Sequence, residues 1–399
     1  MMLSASLFLS FAAMALAGPP VPNHRFSKDE LQRYFGVDSD DKAPEYEIVY
    51  PEYVTADTKR SMDRSSITAS HLDVYVDAFG ETLHMTVEHD DSGIKPGLEA
   101  EYLTDEGIIK VPVQTDCIYS GKVVGEGDSL VSVTTCVGLM AIAYHASGPT
   151  YIEPLDDEHA YKRDIGRGLP HVAYKNKPQN GASCPVRSPL CVEGDVKPSG
   201  TKYLKLAFVG DALLHYLRGN STLTALTTVF NAVKNILQLD SLAGKDLVPK
   251  LVHMIILTVR QPGFWISWNA YRYLPSAAEW LDTKQYPPSD DRHWDNAAIF
   301  SGLPFVNGIL GLAYVGVCDS KEAVSVSRFH SLDEATATAA HEIGHNLGMC
   351  HDNQDNSCPS TGYVMAPYES EVKIEPIWSS CSRRYYNRFV DSNTCYNDS

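Results

Sequence analysis

Between residues 70 and 90 apolar and polar side chains alternate. Leu72, Val74 and Val76 point one way, Phe79-Gly80 turns the chain, and Leu83, Met85 and Val87 alternate again. That period of two predicts a β-hairpin. Leu130 to Tyr144, preceded by Gly121, Gly125 and Gly127, predicts a further strand pair. The rhythm then changes. Leu204 to Val209 is a compact apolar strand, and Leu223, Leu226, Phe230, Val233 and Leu237 recur at helical spacing, predicting an amphipathic helix over 221–239. Leu251 to Val259 reads as a second buried strand, Ser276 to Trp280 as the start of a short helix, and Leu310 to Val317 as a third strand. Asp333 can cap a helix from Glu334 to about Leu347, and Ser382 can cap a last one through Val390. A β-rich first half is thus followed by strands alternating with helices, the pattern of a layered α/β domain.

Residues 163–200 carry Gly166, Gly168, Pro170, Pro178, Gly181, Pro185, Pro189, Gly194, Pro198 and Gly200, and read as a linker between the halves. Lys162, Arg163 and Arg167 are basic sites a processing protease could use. Leu3 to Ala17 is an apolar run, and Ala15-Leu16-Ala17 before Gly18 has the form of a signal-peptidase site. The expected organisation is a signal peptide at 1–17, an N-terminal unit at 18–200 and a second unit at 201–399. No later run approaches about 20 apolar residues, so no membrane anchor is expected. Hydrophobic residues make up 44% of the chain, enough for a core in each half. The net charge of −17 argues against a nucleic-acid partner. Secretion makes disulfides the default, and nine cysteines are an odd number. Asn220-Ser221-Thr222 is an acceptor for glycosylation in a secreted chain.

Residues 341–352 carry the chemistry: His-Glu-Ile-Gly-His-Asn-Leu-Gly-Met-Cys-His-Asp. His341 and His345 are four apart on a predicted helix, which stacks both imidazoles on one face. Glu342 follows His341, so its carboxylate lies beside a metal rather than on it, where a general base must be. Gly348 lets the chain leave the helix, and His351 brings a third nitrogen. Three neutral histidines with an open fourth position suit one catalytic zinc ion, which acidifies its water and polarises a carbonyl.

The extended motif resembles the metzincin zinc proteases, and Asp352 after the third histidine resembles the reprolysin (adamalysin) branch. Gly362-Tyr363-Val364-Met365-Ala366 resembles that family's Met-turn, which implies Met365 beneath the histidines. Tyr368 lies three past Met365, not two as in astacin-type ligands, and takes no ligand role. Gly311, Leu312, Ala313 and Tyr314 resemble the edge strand to which family substrates add as an antiparallel strand. Ile377 to Ser382 resembles the segment before the last helix. Cys117 to Cys136 and Tyr151 to Leu155 resemble a reprolysin propeptide.

The resemblance implies a mostly parallel sheet with one antiparallel edge strand, a long zinc helix and a Met-turn, preceded by a β-rich propeptide domain. It implies a secreted zinc endopeptidase acting on proteins, made as a zymogen, monomeric, with its own propeptide as inhibitor. It suggests Cys318 with Cys395, Cys358 with Cys381, and Cys117 with Cys136. Cys184, Cys191 and Cys350 remain. Either Cys184 or Cys191 holds the zinc as a thiolate and silences the zymogen, or these two pair and Cys350 is free or joined to Cys358. Lys205 stands where many relatives carry a calcium-binding glutamate, which leaves calcium open. The wall of the specificity pocket falls to Ala366 to Pro376. A chain ending soon after Cys395 looks most like the short antarease-like venom metalloproteases of scorpions. An endogenous matrix-processing protease would use the same chemistry. A non-enzymatic binder on this fold would not need all four motif residues.

Overall fold

The computed structural model describes residues 25–55, 58–160, 167–175, 192–367 and 376–397. The signal stretch, Cys184, Cys191, Tyr368 and most of both the linker and the 366–376 wall lie outside the described residues.

The first half holds α1 (Lys28–Phe35), β1 (Tyr46–Val49), β2 (Glu52–Thr55), β3 (Thr58–Ser61), β4 (His71–Ala78), β5 (Glu81–His89), β6 (Glu99–Leu103), β7 (Ile108–Pro112), β8 (Ile118–Val123), β9 (Leu130–Thr134), β10 (Met140–Tyr144), β11 (Thr150–Pro154), α2 (Asp157–Ala160) and β12 (His171–Lys175). Helix α1 starts at a reciprocal cap between Ser27 and Glu30 and stops at Gly36, whose φ is 64°. Ten of these strands form one sheet in the order β1-β12-β11-β10-β9-β8-β5-β4-β2-β3. Its pairs are antiparallel, so the chain can return through short turns. The β4–β5 hairpin falls where alternation predicts it. Phe79 and Gly80 both have positive φ, as the tight two-residue hairpin turn requires.

The second half holds β13 (Lys202–Gly210), α3 (Ala212–Arg218), α4 (Thr222–Leu237), β14 (Leu247–Leu257), α5 (Ala270–Asp282), β15 (Asn296–Ser301), β16 (Gly311–Ala313), β17 (Val324–Arg328), α6 (Leu332–Asn346) and α7 (Ser380–Ser392). The expected third strand shrinks to β16, because Gly316 at φ 64° turns the chain soon after it. Helix α5 starts before Ser276, at the side-chain cap of Asn269. Ser331 rather than Asp333 caps α6, and Ser379 rather than Ser382 caps α7, each accepting from the amide three residues on.

The second sheet runs β16-β17-β15-β13-β14-β6-β7. Strands β17, β15, β13, β14 and β6 are parallel neighbours, and β16 is antiparallel to β17. This corrects the expected sheet in one respect. It ends in an antiparallel pair on both sides, because the β6–β7 hairpin of the first half adds to β14. An open β14 edge would present a row of unpaired backbone groups, and β6 covers it. The boundary near residue 200 therefore does not separate the two sheets in space.

Helix α4 lies between them. It touches β13 and β14 on one side and β8, β9 and β10 on the other, and all but Leu223 and Asn235 of its residues are buried. Its polar side chains meet the first sheet. Thr228 shares a 2.7 Å hydrogen bond with Thr134, Asn231 donates to the Tyr119 carbonyl at 2.8 Å, and Asn235 donates to Ser120 and Ser132. Buried polar groups are thus paired rather than stranded. Among the described residues no helix is long and apolar enough to cross a membrane.

Candidate metal centre

Helix α6 carries His341, Glu342 and His345 on buried positions, close to its C-terminal end. Past that end, Gly348 at φ 86° turns the chain, and an added Cβ there would sit 2.5 Å from Cβ of Phe389. A left-handed, crowded position of this kind admits glycine and little else. The turn brings His351 back under the helix. Its Nε2 lies 3.2 Å from Nε2 of His341 and 3.2 Å from Nε2 of His345. A tetrahedral zinc ion with nitrogens at about 2.05 Å needs donor separations of about 3.3 Å, so the spacing fits.

Proton placement fits as well. His341 Nδ1 donates to the Val364 carbonyl at 2.7 Å, and His345 Nδ1 donates to the Met349 carbonyl at 2.8 Å. Those bonds leave the two Nε2 atoms as lone pairs facing His351, an arrangement a cation stabilises. Burial holds both rings in their neutral form. The His341 pKa is pulled down to about 3 by desolvation and then by the neighbouring His351, and His345 falls well below its ordinary value by desolvation and then by its neighbours His341 and His351. Among the described residues one other group has metal-ligand spacing, Asp352 with Cys358 and Cys381. Its two sulfurs are bonded to each other, so it offers no ligand set.

The chain beneath the histidines is fixed by three links. Met365 is fully buried, and a Cβ on Gly344 would sit 2.6 Å from its sulfur, so the Met365 thioether lies directly against α6. The Met365 carbonyl accepts from the Asp352 amide at 2.9 Å. Asp352 in turn accepts from the Ser379 hydroxyl at 2.5 Å, with its own pKa raised to about 6 by burial. Motif, Met-turn and the start of α7 are therefore one unit.

On the other side of α6 lies β16. Gly316 N–H donates to the His345 carbonyl and Val317 N–H to the Asn346 carbonyl, while Asn346 Nδ2 donates to the Tyr314 carbonyl. Gly311, Leu312 and Ala313 form the strand; Tyr314 falls just past it. A Cβ on Gly311 would sit 2.5 Å from Oε1 of Glu342 and 2.6 Å from Cγ2 of Thr338. The carboxylate thus stands against the edge strand. Gly311→Ala is expected to cut peptide hydrolysis by about 10²-fold with metal content unchanged, since a shift of about 1 Å in a catalytic group has that effect. Metal analysis beside kcat measurement checks it.

The structure joins Cys117 with Cys136, Cys318 with Cys395 and Cys358 with Cys381. Cys350 is also disulfide-bonded. That corrects the alternatives of a free Cys350 and of a Cys350–Cys358 pair. The Cys318–Cys395 bond ties the segment after β16 to the C-terminal turn, and Cys358–Cys381 ties the segment after His351 to α7. The Lys205 amide donates to Asp295 at 2.7 Å. Asn220 is exposed in the short turn before α4, with the Thr222 hydroxyl donating to the Gly219 carbonyl.

The histidines, Glu342 and Met365 singled out in the sequence all lie on or against the end of α6. Two supporting roles were not singled out there: that of Gly311, which makes room for Glu342, and that of Ser379, which anchors Asp352. A glycine opening a strand was the signal available for the first; nothing in the sequence marks the second.

Residues 202–397 match the profile of the Reprolysin (M12B) family zinc metalloprotease. The chain is 27% identical over 373 residues to a disintegrin and metalloproteinase with thrombospondin motifs 4 of Pongo abelii, covering 87% of this chain and 43% of that protein. It is 29% identical over 352 residues to a disintegrin and metalloproteinase with thrombospondin motifs 10 of Mus musculus, covering 74% and 31%. A zinc metalloproteinase-disintegrin-like protein of Cerberus rynchops is 25% identical over 374 residues, covering 87% and 58%. The chain thus spans less than two thirds of the length of each of these relatives.

Proposed function

We propose that the chain, whose residues 202–397 match the reprolysin (M12B) family of zinc metalloproteases, is a zinc-dependent endopeptidase of protein substrates. The observation that carries this is the convergence of three imidazole nitrogens, with the Glu342 carboxylate one residue from His341 and against Gly311. His341, His345 and His351 would hold the ion, which when bound supplies Lewis acidity to the scissile carbonyl and to an attacking water.

The chain's own residues do the rest. Strand β16, which among the described residues has no strand on the side away from β17, orders a peptide antiparallel to Gly311–Ala313 by main-chain hydrogen bonds. Glu342, pressed against Gly311, takes the proton from the water as it attacks and delivers it to the leaving amine. The carbonyls of Val364 and Met349 keep Nδ1 of His341 and His345 protonated, so their lone pairs stay on Nε2. Met365 and the Asp352–Ser379 bond hold this geometry from below.

Such a protease would be secreted, monomeric and made as a zymogen, with residues 18–200 as its inhibitory propeptide and a glycan at Asn220. A thiolate from Cys184 or Cys191 at the fourth position would keep the zymogen silent. The same chemistry would serve a venom component of the antarease type or an endogenous matrix-processing protease. The purified, processed chain is expected to digest a casein-type substrate, to lose that activity completely on chelation, and to regain it with one equivalent of zinc. Digestion that survives a chelator with no metal left on the protein sinks the proposal.

A further inference from the structure

The loop between β14 and α5 carries an apolar surface that this mechanism does not use. Trp265 is 80% exposed and Trp268 58%, with Tyr271 and Val306 exposed as well. The loop is not loose. Phe264 is buried, stacked on Trp280 at 5.3 Å and edge-on to Tyr273 at 5.2 Å. The Trp265 amide donates to Ser276 at 2.7 Å, and Asn269 caps α5. Large side chains held in water by an ordered loop mark an interaction surface. The exposed Arg260 and Arg272 flank it, and Trp, Tyr and Arg are the side chains that dominate binding hot spots.

Its place relative to β16 says what it would bind. The Val306 amide donates to the Trp268 carbonyl at 2.9 Å, which hooks the loop to the segment leading into β16, and α5 packs against β16 itself. Glu342 marks the reacting carbonyl at Gly311. A peptide antiparallel to β16 therefore runs its C-terminal side past Leu310 and Ile309 toward Val306 and Trp268.

We infer that Trp265, Trp268, Tyr271 and Val306 form an exosite for an apolar segment of the substrate on the C-terminal side of the scissile bond. This rests on the endopeptidase reading above. It makes the protease selective for chains that carry an apolar stretch beyond the cleavage point, and it acts on binding rather than on the chemical step.

Three peptides test it. One is a short core that the parent protein cleaves. The second extends that core at its C-terminus by about eight residues rich in Phe and Leu, about 26 Å of extended chain. The third carries the same length of Gly and Ser. Affinities are measured by calorimetry on zinc-loaded Glu342→Ala protein, so turnover plays no part. The apolar extension is expected to tighten binding about tenfold over the core, the Gly/Ser extension not at all. Adding W265A and W268A should erase the gain while core affinity stays the same, and W265F with W268F should restore most of it. Equal affinity for core and apolar extension, or a gain untouched by W265A/W268A, overturns the inference. So does binding of phosphatidylcholine vesicles through the tryptophans without any peptide gain, which would assign the surface to lipid. If the parent cleaves no peptide at all, the endopeptidase reading itself fails; a cleaved core with no exosite gain sinks the exosite alone.

Discussion

Glu342→Ala is expected to keep one equivalent of zinc and to lose peptide hydrolysis by at least about 10²-fold and up to about 10⁴-fold, the span of a general-base contribution. The two halves of that expectation come from different atoms. Metal affinity resides in the three Nε2 atoms, that of His351 lying 3.2 Å from each of the other two, with the His341 and His345 rings held by the Val364 and Met349 carbonyls. None of those contacts involves Glu342. Hydrolysis needs a base within hydrogen-bond reach of the attacking water, and Glu342 is the fully buried carboxylate one residue from His341 and against Gly311. Loss of that term corresponds to about 3–5 kcal/mol in the barrier. Glu342→Asp should also be slow, because a side chain one methylene shorter cannot reach from the same helix position. His345→Ala separates the roles: it should lose metal and activity together. Atomic absorption on each variant, beside kcat on one peptide, reads both quantities. A Glu342→Ala protein that holds zinc and cleaves at the parental rate would remove the glutamate from the mechanism.

How much of this was legible in the sequence depends on where the partner of each residue lies. His341, His345 and Glu342 are neighbours on one helix, so their spacing alone sets their geometry. His351 needs only one turn, and Gly348 announces it. Helix α4 shows the opposite case. Thr224, Thr228, Asn231 and Asn235 recur at helical spacing opposite Leu226, Phe230 and Val233, a pattern that reads as a solvent face. In the folded chain that face is an interface, because Tyr119, Ser120, Ser132 and Thr134 supply its hydrogen bonds. Nothing local distinguishes a polar stripe satisfied by water from one satisfied by a second sheet. Strand β15 escaped notice for a related reason. All six of its residues are buried, so it has no alternation to detect. The β6–β7 hairpin was invisible as a member of the second sheet because its partner β14 lies more than a hundred residues further on.

The interface on α4 and α3 sets the second large expectation: Arg218→Ala should destabilise the full chain by about 3–5 kcal/mol. Arg218 belongs to α3 and Glu153 to β11, so the pair bridges the two halves. Both side chains are buried, 5% and 1% exposed, and the contact is two-pronged at 2.7 and 3.3 Å. Arg218 also lies over the Phe329 ring at 4.5 Å, and its own carbonyl accepts from Arg33 of α1. Among the described residues Glu153 has one further donor, the Tyr174 hydroxyl at 2.8 Å, and that hydroxyl accepts from the Leu332 amide at the start of α6. Removing the guanidinium leaves a buried carboxylate with the Tyr174 hydroxyl as its one donor among the described residues, and the cost is mainly that stranded charge. Arg218→Met with Glu153→Leu removes both charges, and should therefore recover most of the loss. Denaturant midpoints of the parent, the two single variants and the double variant measure the coupling. Equal destabilisation in the double variant and in Arg218→Ala would show that packing on Phe329, not charge, is what Arg218 supplies. If the charge term holds, the pair is a lock between α3 and β11. Arg218→Ala protein cut within residues 176–191 should then release its N-terminal half at a lower denaturant concentration than cut parent protein, read by size-exclusion chromatography.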